Sequence, residues 1–224
     1  MNLNLGDTRL IIATAAKYGL LRNQLAYVLA TAYHETAFTI KPVRETKANT
    51  DAKAKEILTK SWKAGKLPWV KADYWSSGFF GRGYVQLTHQ ENYQRAGQAI
   101  GVDLVANPSL ALDQDIAAKI IVLGMKYGWF TGKKLSDFIT LQKSEFVGAR
   151  RIVNGTDKAG EIAGYASQYN TLLKAEGYGE AISQPVSLEP STAPKVRPSV
   201  NAPPSTGFWA FMFAAIAALF GGGK

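Results

Sequence analysis

Two glutamates ten positions apart, Glu35 and Glu45, are the side chains in this sequence best suited to chemistry. Glu35 sits in Tyr33-His34-Glu35-Thr36, and Gly81-Arg82-Gly83-Tyr84-Val85-Gln86-Leu87-Thr88 follows downstream. Two carboxyls facing a polar groove can break a glycosidic bond, one protonating the leaving oxygen while the other activates water. Glu35 lies three residues after Ala32 and seven after Val28, on the apolar stripe of a helix. A carboxyl there loses hydration, which favours its protonated form and suits a general acid. The alternatives are a helix end frayed into solvent and an ion pair with a nearby arginine. Glu45 lies beyond Pro42 among Lys41, Arg44 and Lys47, cations that favour an ionised carboxylate and so a general base. Its alternative is an ordinary surface glutamate.

Polar residues of the middle segment suit a sugar. Gln86, Thr88 and Asn92 offer amide and hydroxyl groups that match sugar hydroxyl and N-acetyl groups, and Gly81 and Gly83 let backbone approach a ring closely. Thr88 has a second reading, as the N-cap of a capping box Thr88-His89-Gln90-Glu91. Tyr33, Tyr84, Tyr93, Trp75 and Phe80 either stack on sugar faces or fill a core. No metal or other cofactor is expected: His34-Glu35-Thr36-Ala37-Phe38 lacks the second histidine of a zinc motif, and His34 is expected to order the Glu35 loop. Gly81-x-Gly83 lacks the later glycine and lysine of a phosphate cradle.

The elements that must position these residues read as helices. Asp7 is placed to cap a first helix through about Lys17. Leu21, Leu25, Val28 and Ala32 give a second, running to about Thr36. Thr50 or Asp51 starts a third, basic helix that stops before Gly65. Tyr74–Leu87 reads as loop with a short extended piece. The capping box starts a helix that runs to about Ile100, with Gly101 as its stop. Further helices fit 113–127, 144–153 and 157–176. The expected fold class is therefore mainly α, a helical globular domain over residues 1–177.

Residues 178–206 hold six of the nine prolines and read as an extended linker. Phe208–Phe220 then gives thirteen consecutive apolar residues within a tail at 207–224. As a helix this run is shorter than the ~20 residues a bilayer crossing needs, and it has no polar face. It is expected to insert partly into a membrane, the alternatives being a tilted crossing and docking on the globular domain. The chain carries a net charge of +9, almost all of it before residue 177, so polyanions are natural partners. Nucleic acid is not expected, because the basic residues are scattered and no binding motif is present. The absence of cysteine excludes a disulfide scaffold and a thiol nucleophile. The N-terminus lacks the basic and apolar regions of a secretory signal, so synthesis in the cytoplasm is expected.

Together these residues resemble glycoside hydrolase family 19, the chitinase-type enzymes, which include many phage endolysins. His34-Glu35-Thr36 matches the family's acid motif, and Phe79–Thr88 followed by Asn92-Tyr93 matches its most distinctive segment. Asn107-Pro108 and Ile152-Val153-Asn154-Gly155 also fit, so the likeness covers about 20–177. It implies a lysozyme-like, chitinase-type fold with a substrate cleft, Glu35 as general acid and Glu45 as general base, with Glu56 a substitute base. It implies Thr88 as a holder of the attacking water, and Gln86, Asn92 and Asn154, with His34 and Tyr84, as the groove lining. The family inverts anomeric configuration and needs no metal. Two departures are Ala37-Phe38, where the family often has two glycines, and the missing cysteines. The resulting expectation is a monomeric endolysin that cleaves β-1,4 bonds of peptidoglycan at the wall and uses its tail at a bacterial membrane. A chitinase, a lytic transglycosylase, a non-catalytic wall-binding or virion protein and a membrane-permeabilising tail are the rival readings.

Overall fold

The computed structural model describes residues 1–179. Seven α-helices dominate: α1 (Thr8–Lys17), α2 (Arg22–Glu35), α3 (Asp51–Lys63), α4 (Gln90–Ile100), α5 (Gln114–Tyr127), α6 (Leu135–Phe138) and α7 (Ala159–Ala175). Three 3₁₀ turns, Glu45–Lys47, Pro108–Leu112 and Gly148–Ile152, and a two-stranded antiparallel ribbon complete the order. In the ribbon, β1 (Val43–Arg44) pairs with β2 (Arg82–Gly83), setting Val43 opposite Gly83 and Arg44 opposite Arg82. The chain is mainly α, as expected. The expected linker and tail lie outside the described residues, apart from 178 and 179. Among the described residues, no helix is long and apolar enough to cross a membrane.

The core is built around α2. Every residue from Leu25 to Ala32 is buried, which fits a helix that is apolar all round and enclosed by others. It packs chiefly against α7, whose Ala159, Ile162, Ala166, Tyr169 and Leu173 form one buried stripe. A second, smaller cluster joins Ala54 and Leu58 of α3 to Leu67, Val70, Trp75 and Phe80. The segment through β2 passes from this cluster at Phe80 to the main core at Tyr84 and Val85. The ribbon therefore ties the two clusters together, and Glu45 follows directly from its first strand.

Three local expectations are corrected. Asp7 precedes α1 but makes no side-chain cap; its carboxylate instead accepts hydrogen bonds from the Tyr84 hydroxyl (2.7 Å) and Gln114 Nε2 (2.9 Å). The Thr88 capping box does not form. His89 occupies the N-cap of α4 at φ +70°, and the Thr88 hydroxyl donates to Gln86 O at 2.7 Å. The helix expected over 144–153 is a short 3₁₀ turn at Gly148–Ile152. Its first residues are committed elsewhere: Ser144 bridges to Ile139, and the Glu145 amide donates to Phe138 O.

Candidate active site

Glu35 is the last residue of α2, and its side chain is 1% exposed. Its Oε1 accepts a hydrogen bond from the Arg150 guanidinium at 2.6 Å, in an ion pair whose arginine is equally buried. Burial was expected; the ion pair was the alternative reading. Arg150 is anchored in turn, because its Nε donates to Asp157 O at 3.0 Å just before α7. Glu35 Oε2 has no hydrogen-bond partner among the described residues. Tyr27 packs into the same electrostatic environment. Burial raises its phenol pKa, Arg150 opposes the rise and Glu35 adds to it. Asn154, one turn beyond Arg150, is 3% exposed; its Oδ1 accepts from the Gly155 amide while its Nδ2 is enclosed without a partner. His34 is half-buried, with an enclosed and unpartnered Nδ1, and is felt electrostatically by Glu161 of α7. Its side chain makes no hydrogen bond to the loop after Glu35 among the described residues, so the ordering role expected of it is not seen.

Glu45 is not the ordinary surface glutamate of the alternative reading. It is 1% exposed. The 3₁₀ turn after β1 carries Thr46 in the left-handed region (φ +63°, ψ 4°), and the carboxyl turns inward. There it accepts hydrogen bonds from the Tyr74 hydroxyl and the Gly81 amide (2.8 Å). Arg44 is engaged by Asp51 rather than Glu45. Burial pushes the Glu45 carboxyl above its ordinary range, and the Tyr74 and Gly81 hydrogen bonds and the nearby Arg82 charge only partly counter this. Glu56, the substitute base, is exposed on α3 and paired with Lys53 at 2.9 Å.

Gln86, Thr88 and Asn92 form one connected set beside Glu45. Gln86 Nε2 donates to Val43 O (3.0 Å), two residues before Glu45. Thr88 donates to Gln86 O, and Asn92 Nδ2 donates to Thr88 O (2.8 Å). Gln86 Oε1 is buried and unpartnered. Tyr84 joins neither group: its ring is 1% exposed in the core and its hydroxyl is held by Asp7. The sugar-stacking role expected of it has no surface to act from.

One cavity lies between the turn after α2 and the turn after β1, and neither glutamate is among its lining residues. It measures about 370 Å³, within the ~300–1,000 Å³ usual for ligand sites. Thr36, the residue after Glu35, lines one part; Arg44 and Lys47, on either side of Glu45 and Thr46, line another. The backbone around it is unusual. Of eight described non-glycine residues with positive φ, five (Ala37, Phe38, Ile40, Thr46 and Lys47) lie in this stretch, and Gln86 and His89 flank Thr88. Such conformations cost about 1–3 kcal/mol each and gather at functional sites. Among the described residues, no group of three or more His, Asp or Glu side chains is placed to hold a metal ion.

Sequence reasoning missed Arg150, Tyr74 and the Arg82–Asp51 pair. Arg82 is 2% exposed, lies 3.9 Å over the Phe80 ring, and donates to Asp51 Oδ2 at 2.7 Å, to Gly78 O and to the Tyr93 hydroxyl. Asp51 also accepts from Arg44 and Ser109. Burial disfavours its charge, but the hydrogen bonds from Arg82 and Arg44 outweigh that and lower its pKa. An arginine between two glycines was the available signal for Arg82. Nothing local distinguishes Arg150 from its neighbour Arg151.

Comparison with known proteins points the same way. A family model described as chitinase class I, glycoside hydrolase family 19, matches residues 16–136. That stretch contains Glu35, Glu45, Gln86, Thr88 and Asn92, while Arg150 and Asn154 lie beyond it. Chitinase 11 of Oryza sativa subsp. japonica is 32% identical over 130 residues, covering 47% of this chain and 49% of that protein. The acidic 27 kDa endochitinase of Solanum lycopersicum is 50% identical over 58 residues, 25% of this chain and 22% of that one. An endochitinase of Avena sativa is 32% identical over 98 residues, 43% of this chain and 46% of that protein. The chain spans about half or less of the length of these relatives.

Proposed function

Because the chain belongs to the chitinase class I family, glycoside hydrolase family 19, we propose that it is a glycosidase that cleaves β-1,4 bonds between N-acetylated sugars, with bacterial peptidoglycan as its polymer. The observation that carries this reading is the pair of enclosed glutamates, Glu35 at the end of α2 and Glu45 in the turn after β1. In the proposed reaction, Glu35 in its protonated form gives a proton to the glycosidic oxygen through Oε2, and the carboxylate left behind is held by Arg150 at Oε1. Glu45 takes a proton from water, which attacks the anomeric carbon from the opposite face and inverts it. Burial makes Glu45 a stronger base than an exposed carboxylate. Gln86 and Asn154 are enclosed, so they hold the walls of the site rather than meet the sugar, Gln86 by donating to Val43 O near Glu45. Thr88 acts through Gln86 and Asn92, holding the loop to which the water binds.

Three features favour the bacterial wall: the net charge of +9, which suits an anionic polymer; the apolar run at 208–220, which suits a membrane-proximal enzyme; and the Pro-rich stretch joining that run to the domain. In this reading the chain is a monomeric endolysin-type enzyme that acts at the wall and associates with a membrane through 207–224. Chitin is the second reading, favoured by the names of the relatives above. Glu35→Gln should abolish release of reducing ends from purified peptidoglycan, with an unchanged circular dichroism spectrum. Near-normal turnover by that variant would remove Glu35 from the reaction. Parallel digestion of sacculi and N-acetylglucosamine oligomers separates the two polymers.

A further inference from the structure

The cavity between the turn after α2 and the turn after β1 has a wall built to meet negative charge. Arg44 and Lys47 line it, and no carboxylate does. Arg44 is oriented from behind: its Nε donates to Asp51 Oδ1 at 2.7 Å. Asp51 is shared with Arg82, whose guanidinium donates to Oδ2 at 2.7 Å. Two guanidiniums on one carboxylate leave a net positive charge. The two terminal amino groups of Arg44 have no hydrogen-bond partner among the described residues. A fork fixed by its Nε, with both tips unengaged, matches the two oxygens of a carboxylate. The side chain is one-quarter exposed, so a ligand reaches it while water screens it only partly. Left-handed backbone at Thr46 and Lys47 on one side, and at Ala37 and Phe38 on the other, holds the lining in place.

We propose that this cavity is a carboxylate subsite: Arg44, with Lys47 beside it, binds an acidic group carried by the polymer next to the bond that is cut. The inference rests on the glycosidase reading above and deepens it. The subsite selects a carboxylate-bearing glycan over a neutral one such as chitin. The carboxylate belongs either to the sugar itself or to a peptide attached to it.

The test compares native sacculi with sacculi whose carboxylates have been converted to methylamides, using the full chain. The wild-type protein should lose about tenfold in kcat/KM on the amidated polymer, mainly through KM, as expected when a charge-assisted hydrogen bond is removed. Arg44→Lys keeps the charge and loses the fork, so its preference for native over amidated sacculi should fall close to one. A nonspecific pull from the protein's net charge would leave the preference of that variant intact, and that result overturns the proposal. Equal turnover of the two polymers by the wild-type protein overturns it as well, without any variant that must fold. Glycan strands stripped of peptide locate the group: a preference kept there puts the carboxylate on the sugar, a preference lost there puts it on the peptide, and both support the subsite. If no polymer is turned over, the glycosidase reading fails separately. Cosedimentation of the protein with the two kinds of sacculi then decides the subsite, equal binding overturning it.

Discussion

Glu45 and Gly81 hold each other through a reciprocal pair of hydrogen bonds: the Glu45 amide donates to Gly81 O at 2.7 Å, and the Gly81 amide donates to Glu45 Oε2 at 2.8 Å. The pair extends the β1–β2 ribbon by one residue and uses it to place a buried carboxyl. A Cβ at 81 would lie 2.7 Å from Gln86 Oε1 and 3.2 Å from Gln86 Cβ, so the enclosed Gln86 side chain would have to shift. Gly81→Ala should therefore displace Gln86, at a cost of about 1–3 kcal/mol in stability. Activity on any sugar polymer should fall further than the stability loss explains. Urea denaturation and initial rates on the same samples check both parts, and a variant with parental rates would detach Gln86 from the site.

The hydroxyl of Tyr74 donates to the other oxygen of Glu45. Burial raises the Glu45 pKa, and this hydrogen bond opposes the rise. A base must be ionised to work, so activity should fall as pH drops through the Glu45 value, and that limb should lie above the ordinary glutamate value of about 4.3. Tyr74→Phe removes an interaction that favours the charged form. The acid limb of kcat/KM should move to higher pH, with the alkaline limb unmoved. An unshifted limb, or a uniform loss at every pH, would give Tyr74 a merely structural role.

The same burial makes a linkage prediction. A folded-state pKa above the unfolded one means that the stability gained from the neutral carboxyl is fully present below the unfolded value. It is lost as pH rises through the folded value. Glu45→Gln cannot ionise, so its melting temperature relative to the parent should improve as pH is raised from about 4 to about 8. A constant difference across that window would contradict the burial of a titrating group at 45.

How much of this the sequence disclosed depended on how local the cause was. The burial of Glu35 was legible because it shares a helical stripe with Val28 and Ala32, and periodicity reports that directly. The inward turn of Glu45 was not, because it depends on left-handed backbone at Thr46 and on partners at 74 and 81. Counting nearby lysines gave Glu45 the wrong surroundings for that reason. Thr88 satisfied a capping pattern, yet its hydroxyl was taken by Gln86 O two residues back. The 144–153 segment had adequate helical spacing, but pairing of Ser144 with Ile139 and of Glu145 with Phe138 claimed its first turn. Four-residue α6 was too short to show a period at all.

Arg150 and Glu35 form the most enclosed ion pair among the described residues. Removing one partner of such a pair strands the other, and the usual loss is about 3–5 kcal/mol. Arg150→Ala should lose that much in urea denaturation, whereas Glu35→Gln should lose less because an amide oxygen still accepts from the guanidinium. Equal losses in the two variants would mean that the stranded carboxyl is not what destabilises the first.

Ala37 ends α2 at φ +51°, with its amide donating to His34 O and the Phe38 amide donating to Tyr33 O. The Phe38 and Tyr33 rings meet at 5.0 Å, the apolar contact that accompanies this kind of helix end. Glycine is the usual residue at the left-handed position. Ala37→Gly should raise stability by up to about 1 kcal/mol, the left-handed penalty less glycine's added chain entropy. A fall in melting temperature would show that the alanine methyl contributes packing that outweighs its strain.

In the proposed reaction Glu35 donates a proton while Glu45 drives water onto the opposite face of the same sugar. Proton NMR of the first products from a β-1,4-linked N-acetylated substrate tests it directly. The α-anomer should appear first and mutarotate afterwards. First appearance of the β-anomer, or of an anhydro-sugar end with no water incorporated, would contradict it.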